Sequence, residues 1–350
     1  MKYDISRAVR RNIDFVKNAD KPGALIVTGS FGKVELPEVR PLENYDLPKE
    51  ITVFMDDLIE YCLRYHEAHA DIDDDWLPAL KPRLGIAEHS CFLGGEVTIG
   101  ANTSYHHPAI DDILKWRDLK LSADYPHYRM LLDGMAYLND KVGKYGFFTS
   151  FRGADGPMDI ANAVRGNDLL CDFMDEPEET KAFLDFCADA AAWNFEQQRP
   201  FVSNIEGGFI GGMGSWMPGN SAGHLSEDAS CLISPKMYEK FGLPATEKLL
   251  EKYDYSFLHV HSLGRACIPI FARMEKFKVF QLSGDPNQPA AMDVYREYAG
   301  VLKGRAVMLD MTVAEVKEHF DFLKDKRTIV NLFADSIEEA NEGIELLRSI

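Results

Sequence analysis

Hydrophobic positions in the second half of this chain fall into two alternating periods. Short apolar runs at 255–262, 278–283, 305–310 and 328–333 are each followed by a segment with apolar residues three and four apart. The first pattern predicts strands buried on both faces. The second predicts amphipathic helices over about 266–276, 290–302, 312–323 and 336–348. Strand then helix, four times at an even spacing, predicts a parallel sheet with right-handed crossovers. Two of the helices open on capping boxes, Thr312…Glu315 and Ser336…Glu339.

The first half is less regular. Residues 3–18 predict a helix with Ile5, Val9, Ile13 and Val16 on one stripe and Arg7, Arg10 and Arg11 off it. Residues 24–28 predict a short strand, 34–49 a proline-containing loop, and 52–69 a helix. Asp71 to Asp75 form an acidic cluster closed by Trp76. Region 76–128 is dense in aromatics, glycines and histidines with little periodicity. It reads either as binding loops around short strands or as a subdomain packing its own aromatics. Regularity resumes with a helix at 130–142, a strand at 146–151 leading to Arg152, and a helix from Pro157 to about Met174. A further helix starts near Pro177, the glycine-rich 207–216 contains a strand, and Ser234-Pro235 caps another helix.

No break in composition divides the chain, so 1–350 reads as one domain, with 1–128 as N-terminal helices and loops packed on it. Gly211 to Gly214 lacks the spacing of a dinucleotide loop, and no phosphate-loop motif is present. The better fit to length and repeat is a single TIM-like (β/α)8 barrel.

Composition narrows the function. The net charge of −18 excludes a nucleic-acid partner and an anionic membrane surface. No apolar run approaches the roughly 18 residues of a membrane span, and the first residues lack the apolar core of a signal peptide. The six cysteines are scattered without a Cys-x-x-Cys pair, which points to free thiols and a cytoplasmic setting. A monomer or a homodimer fits equally.

Barrel chemistry sits past the carboxyl ends of strands. Those positions collect Arg152, the 216–231 segment, His259, His261, Asp285, Asp310 and Asn331. His259 and His261 alternate with Val260, so both point to one face and can converge on a metal ion. Alternatively one is a hydrogen-bonded interior residue and the other lines the pocket. Asp228 falls in a loop between strand and helix, where it is an acid/base group if burial raises its pKa, or a solvated loop acid if not. His224 carries the same two readings. Cys231 and Cys267 have no base nearby in sequence and are not assigned as nucleophiles.

Several segments carry a resemblance. They are Asp74-Asp75-Trp76-Leu-Pro-Ala-Leu80, Pro82-Arg-Leu-Gly85, Phe92-Leu-Gly-Gly-Glu96, Gly156-Pro157, Arg165-Gly166, Asp172 to Glu178, Asp228, Ile233-Ser-Pro235 and Leu258-His259-Val-His261…Gly264. From about residue 70 onward the chain resembles the uroporphyrinogen decarboxylase-like superfamily. The resemblance implies a TIM-like barrel and a small-molecule substrate. It implies methyl transfer with a corrinoid or thiol substrate, the corrinoid free or on a partner protein. The alternatives are a carboxy-lyase acting on a porphyrinogen-like acid, using Arg152 and Asp228, and a non-catalytic binding protein without the metal site.

Within the resemblance, His259 and His261 line the centre with zinc as candidate metal, and Asp228 is catalytic. Glu96 and Asp285 are acid/base or ligand groups. Trp76, Tyr105, Arg152, Trp216 and His224 shape the substrate pocket. Two departures stand out. The Arg-Gln-Ala-Gly-Arg-Tyr-type segment of porphyrin decarboxylases is missing. The His-x-Cys plus distant Cys of thiol methyltransferases is replaced by His259-Val-His261 and Asn331-Leu-Phe-Ala-Asp335.

Overall fold

A computed structural model describes residues 3–350. Among them the strands are, in chain order, β1 (Gly23–Phe31), β2 (Ala79–Leu80), β3 (Val97–Ile99), β4 (Ser104–His106), β5 (Phe148–Thr149), β6 (Ala154–Asp155) and β7 (Gly208–Ile210). Then follow β8 (Trp216–Pro218), β9 (Ser221–Ser226), β10 (Tyr255–His261), β11 (Phe277–Ser283), β12 (Ala306–Thr312) and β13 (Arg327–Ala334). Seven of them form one parallel sheet in the order β1-β13-β12-β11-β10-β9-β6. β2 and β5 make a separate parallel pair, while β3–β4 and β7–β8 are antiparallel. The arrangement is α/β and compatible with a TIM-like barrel.

The seam beside β1 is held by side chains instead of a ladder. Asp75 N–H donates to the Ile26 carbonyl at 2.7 Å, and the Asp75 carboxylate accepts from Ile26 N–H at 2.8 Å. Asp74 accepts from Thr28 N–H at 2.7 Å, and the Tyr65 hydroxyl donates to the Thr28 carbonyl at 2.7 Å. Backbone groups of a sheet edge must find partners or present a template for aggregation. Here two carboxylates and a phenol supply them. Asp74 also accepts from Tyr3, His69 and Trp76 N–H, and Asp75 takes a two-pronged contact from Arg348 at 2.6 and 2.8 Å. Asp74 and Asp75, at the end of the acidic cluster, are therefore a buried latch.

Most expected elements are present, and the differences have local causes. The helix expected at 157–174 divides into Pro157–Arg165 and Leu169–Asp175. Gly166 turns the chain between them at φ 74°, and a Cβ there would meet Pro108 at 2.9 Å. The helix expected at 266–276 shrinks to a 3-10 turn, Ser262–Cys267, and a four-residue helix, Ile268–Phe271, with Pro269 in its first turn. Thr312 and Glu315 form the full capping box. Ser336 caps Glu339 N–H, but the Glu339 carboxylate reaches back one residue further, to Asp335 N–H at 2.7 Å. Among the described residues no helix is long and apolar enough to cross a membrane.

β10 is buried except at Tyr255, His259 and His261, so its interior half is apolar and its carboxyl end carries imidazoles. Placing polar groups at the strand end lets the sheet interior stay dry while the rim does chemistry. Asp75→Ala would leave the Arg348 guanidinium and Ile26 N–H without their partner. We expect a loss of about 3 kcal/mol or more, as for other broken buried ion pairs, read as a lower urea midpoint at unchanged slope.

Candidate metal centre

His259 and His261 leave β10 on the same side, their ring centroids 4.6 Å apart and their planes perpendicular. Each ring is fixed from behind by β11 or the loop after it. His259 Nδ1 donates to Gln281 Oε1 at 2.7 Å, and Gln281 is its register partner on β11. His261 Nδ1 donates to Asp285 Oδ1 at 2.8 Å. Asp285 is itself held, because its other oxygen accepts from Leu263 N–H at 2.8 Å and from the Ser262 hydroxyl at 3.2 Å. Burial pushes the Asp285 carboxyl up, but the Leu263 N–H and His261 contacts outweigh it and leave its pKa lowered.

Acceptors at both Nδ1 atoms draw the ring protons there and leave the Nε2 lone pairs free. Both Nε2 atoms face Asp228, His259 at 3.9 Å and His261 at 3.8 Å. One ligand atom from each of the three residues lies within 4.8 Å of the others. Asp228 Oδ1 is buried and has no hydrogen-bond partner. Two imidazoles with Nε2 turned inward and a carboxylate with an unfilled oxygen, partly open to solvent, fit a three-ligand divalent metal site that keeps a position for substrate.

Asp228 is positioned from below. Asp159, on the helix Pro157–Arg165, accepts from Asp228 N–H at 2.9 Å and from Ala229 N–H at 2.6 Å, one to each oxygen. Burial, then the charges of Asp155 and Asp228, push the Asp159 carboxyl well above the usual range. Glu227 is also buried, accepts from the Thr246 hydroxyl at 2.7 Å, and is pushed up mainly by burial. Cys231 lies on the same rim. Burial and the charges of Asp228, Asp159 and Asp285 raise its thiol pKa, so it resists becoming a thiolate.

Two residues down β9 from the Ser226 that faces His259 sits His224, opposite Phe257. Its ring fills a slot that only glycine permits. A Cβ at Gly153 would fall 2.0 Å from the ring and one at Gly212 would fall 2.2 Å away. Burial, then the charges of Lys81, His89, Arg152 and His259, hold His224 well below the usual histidine range, so it is neutral. Arg152 pairs with the buried Glu88, and burial lowers its pKa to about 10.

Asp228, His259, His261 and Asp285 thus come together, with His224 and Arg152 in the layer below. Trp76 stands apart and lines a cavity of about 470 Å³. Glu96 is exposed beside β3, and Tyr105 is 53% exposed on β4. Trp216 is buried in a satellite core with Tyr3, Val9 and Ile13, its ring N–H donating to the Ile205 carbonyl at 2.9 Å. Sequence reasoning missed Gln281, Ser262, Asp159 and the strand β9. Gln281 had a signal, a lone amide inside an apolar strand in register with His259. Asp159 had none, since its role depends on a loop 69 residues away.

No family model matches the chain, and no curated protein matches it by sequence. Among solved structures it is similar to a methyltransferase from Methanosarcina mazei, with 14% identity, a TM-score of 0.60 and coverage of 94% of each chain. At that identity the likeness establishes a shared α/β fold along nearly the whole chain.

Asp285→Asn keeps the shape but removes the charge that orients His261. It is expected to weaken zinc affinity about 10- to 100-fold by calorimetric titration. A carboxyl with a lowered folded pKa contributes stability that is present above its unfolded pKa and lost as pH falls through the folded one. The variant should therefore lose less stability than the wild type between about pH 4 and the lowered value.

Proposed function

We propose that the chain is a metal-dependent methyltransferase of the uroporphyrinogen decarboxylase-like superfamily, built as a TIM-like barrel. In this reading Asp228, His259 and His261 hold a zinc ion, and a thiol receives the methyl group from a corrinoid, free or on a partner protein. The observation that carries the reading is the convergence of three ligand atoms within 4.8 Å, two of them on imidazoles whose other nitrogens are already engaged. The fold shared with a methyltransferase supports it.

Asp228, His259 and His261 would hold the zinc ion, which would supply the Lewis acidity that lowers a substrate thiol's pKa. The chain's own residues set the stage. Asp285 and Gln281 keep a ring proton on each Nδ1, so the Nε2 atoms are the ones turned toward the metal position. Asp159 holds the backbone of Asp228 so that its carboxylate faces the two rings. The mixed nitrogen and oxygen set carries one negative charge where a thiolate-rich set would carry more. It therefore leaves the metal a stronger Lewis acid. The neutral His224 below adds no charge to oppose it.

The reaction is balanced as a methyl group leaving cobalt for the thiolate sulfur, both electrons of the cobalt–carbon bond remaining on cobalt and the thiol proton passing to solvent. The test uses full-length protein with one equivalent of zinc, methylcobalamin and 2-mercaptoethanol, followed by absorbance and by detection of the methyl thioether. We expect turnover that chelation abolishes and that His261→Ala lowers by about a hundredfold or more. Turnover unaffected by either treatment would refute the reading.

A further inference from the structure

Two cavities share Lys81, Arg83 and Asn102 in their walls, and neither wall includes an Asp or Glu. The larger, about 470 Å³, adds Arg40 and an apolar surface that includes Phe54, Tyr61, Tyr65 and Trp76. The smaller, about 320 Å³, adds Arg152. In a chain with 56 acidic and 38 basic residues, a lining with only cations runs against composition.

Two of the cations are already compensated. Arg40 lies 3.7 Å from Asp57, and Arg152 pairs with Glu88. The other two are not. Lys81 donates to the Gly212 carbonyl, and Arg83 has no carboxylate at ion-pair distance among the described residues. Burial, then the charges of Arg152 and Arg83, push Lys81 well below the usual lysine range. Lys81 is therefore a desolvated amine beside two guanidiniums, and an anion entering the cavity would stabilise its charged form while meeting the exposed Arg83.

We propose that this cavity binds the oxyanion of a small organic acid, a carboxylate or a phosphate ester, with its apolar or aromatic body against Trp76, Tyr61, Tyr65 and Phe54. Arg83 offers the planar fork that matches either oxyanion, and the Lys81 amine adds a donor whose positive charge an arriving oxyanion favours. The aromatic wall gives the body of the ligand a surface to cover. Arg152 lines the smaller cavity, and its carbonyl packs with the His224 ring against Gly212, in the layer below the two imidazoles. The inference deepens the proposed function by naming a substrate class, and only its link to catalysis rests on that reading.

The test titrates chelator-treated full-length protein by calorimetry with benzoate, phenyl phosphate and, as neutral control, benzyl alcohol. We expect at least one of the acids to bind, and benzyl alcohol to bind about tenfold more weakly or worse. Which acid binds more tightly separates a carboxylate from a phosphate preference. Arg83→Gln, at an exposed side chain, and Lys81→Met should each weaken the acid by about tenfold or more with unchanged circular dichroism. Binding of neither acid, equal affinity for benzyl alcohol, or unchanged affinity in Arg83→Gln would overturn the proposal. Intact acid binding without methyl transfer would count against the proposed function alone.

Discussion

Two fully buried carboxylates hold this molecule's seam. Asp74 and Asp75 take hydrogen bonds from β1, from the chain that follows them, and from residues near both ends of the sequence. Buried carboxylates are tolerated when their oxygens are engaged, and each of these four oxygens accepts from at least one N–H, O–H or guanidinium donor. What depends on them is position. The segment from Trp76 through Arg83 leaves the latch directly, so the same carboxylates that satisfy the edge of β1 also deliver Trp76, Lys81 and Arg83 to the cavity wall.

The candidate metal centre follows from a second constraint, the burial of β10 on both faces. An imidazole inside such a strand would need a partner, whereas at its carboxyl end it can take one from the neighbouring strand and keep a nitrogen free. His259 does so with Gln281 and His261 with Asp285. Asp228 then completes the site from the loop after β9. Its orientation is set by backbone N–H groups bound to Asp159, so this carboxylate is positioned independently of the two imidazoles. The polar layer beneath is neutral or paired, which keeps stray charge from competing with the ligands.

The repeat of strand and helix in the second half was legible because each element obeys its own period and carries its own caps, as at Thr312 and Ser234. The histidine pair was legible because alternation alone places His259 and His261 on one face. Asp228 was legible as a loop residue between a strand and a capped helix, but its convergence on the pair was not, since nothing local says which way it turns. β9 was hidden because Ser-Ala-Gly-His-Leu-Ser has no apolar run. Its small residues are there to make room, Gly223 for Phe195 among them. The burial of Asp74 and Asp75 was hidden for a related reason, their partners lying as far off as Tyr3 and Arg348. Short-range pattern reveals elements, while long-range partners decide which polar residues are structural.

The proposed centre is a metal held by two imidazoles and one carboxylate, with no sulfur. X-ray absorption at the zinc edge, on full-length protein reconstituted with one equivalent of zinc, tests it directly. The expected result is a shell of nitrogen and oxygen at about 2.0–2.2 Å with the scattering pattern of two imidazoles. A sulfur scatterer at about 2.3 Å, or protein that retains no zinc, would contradict it.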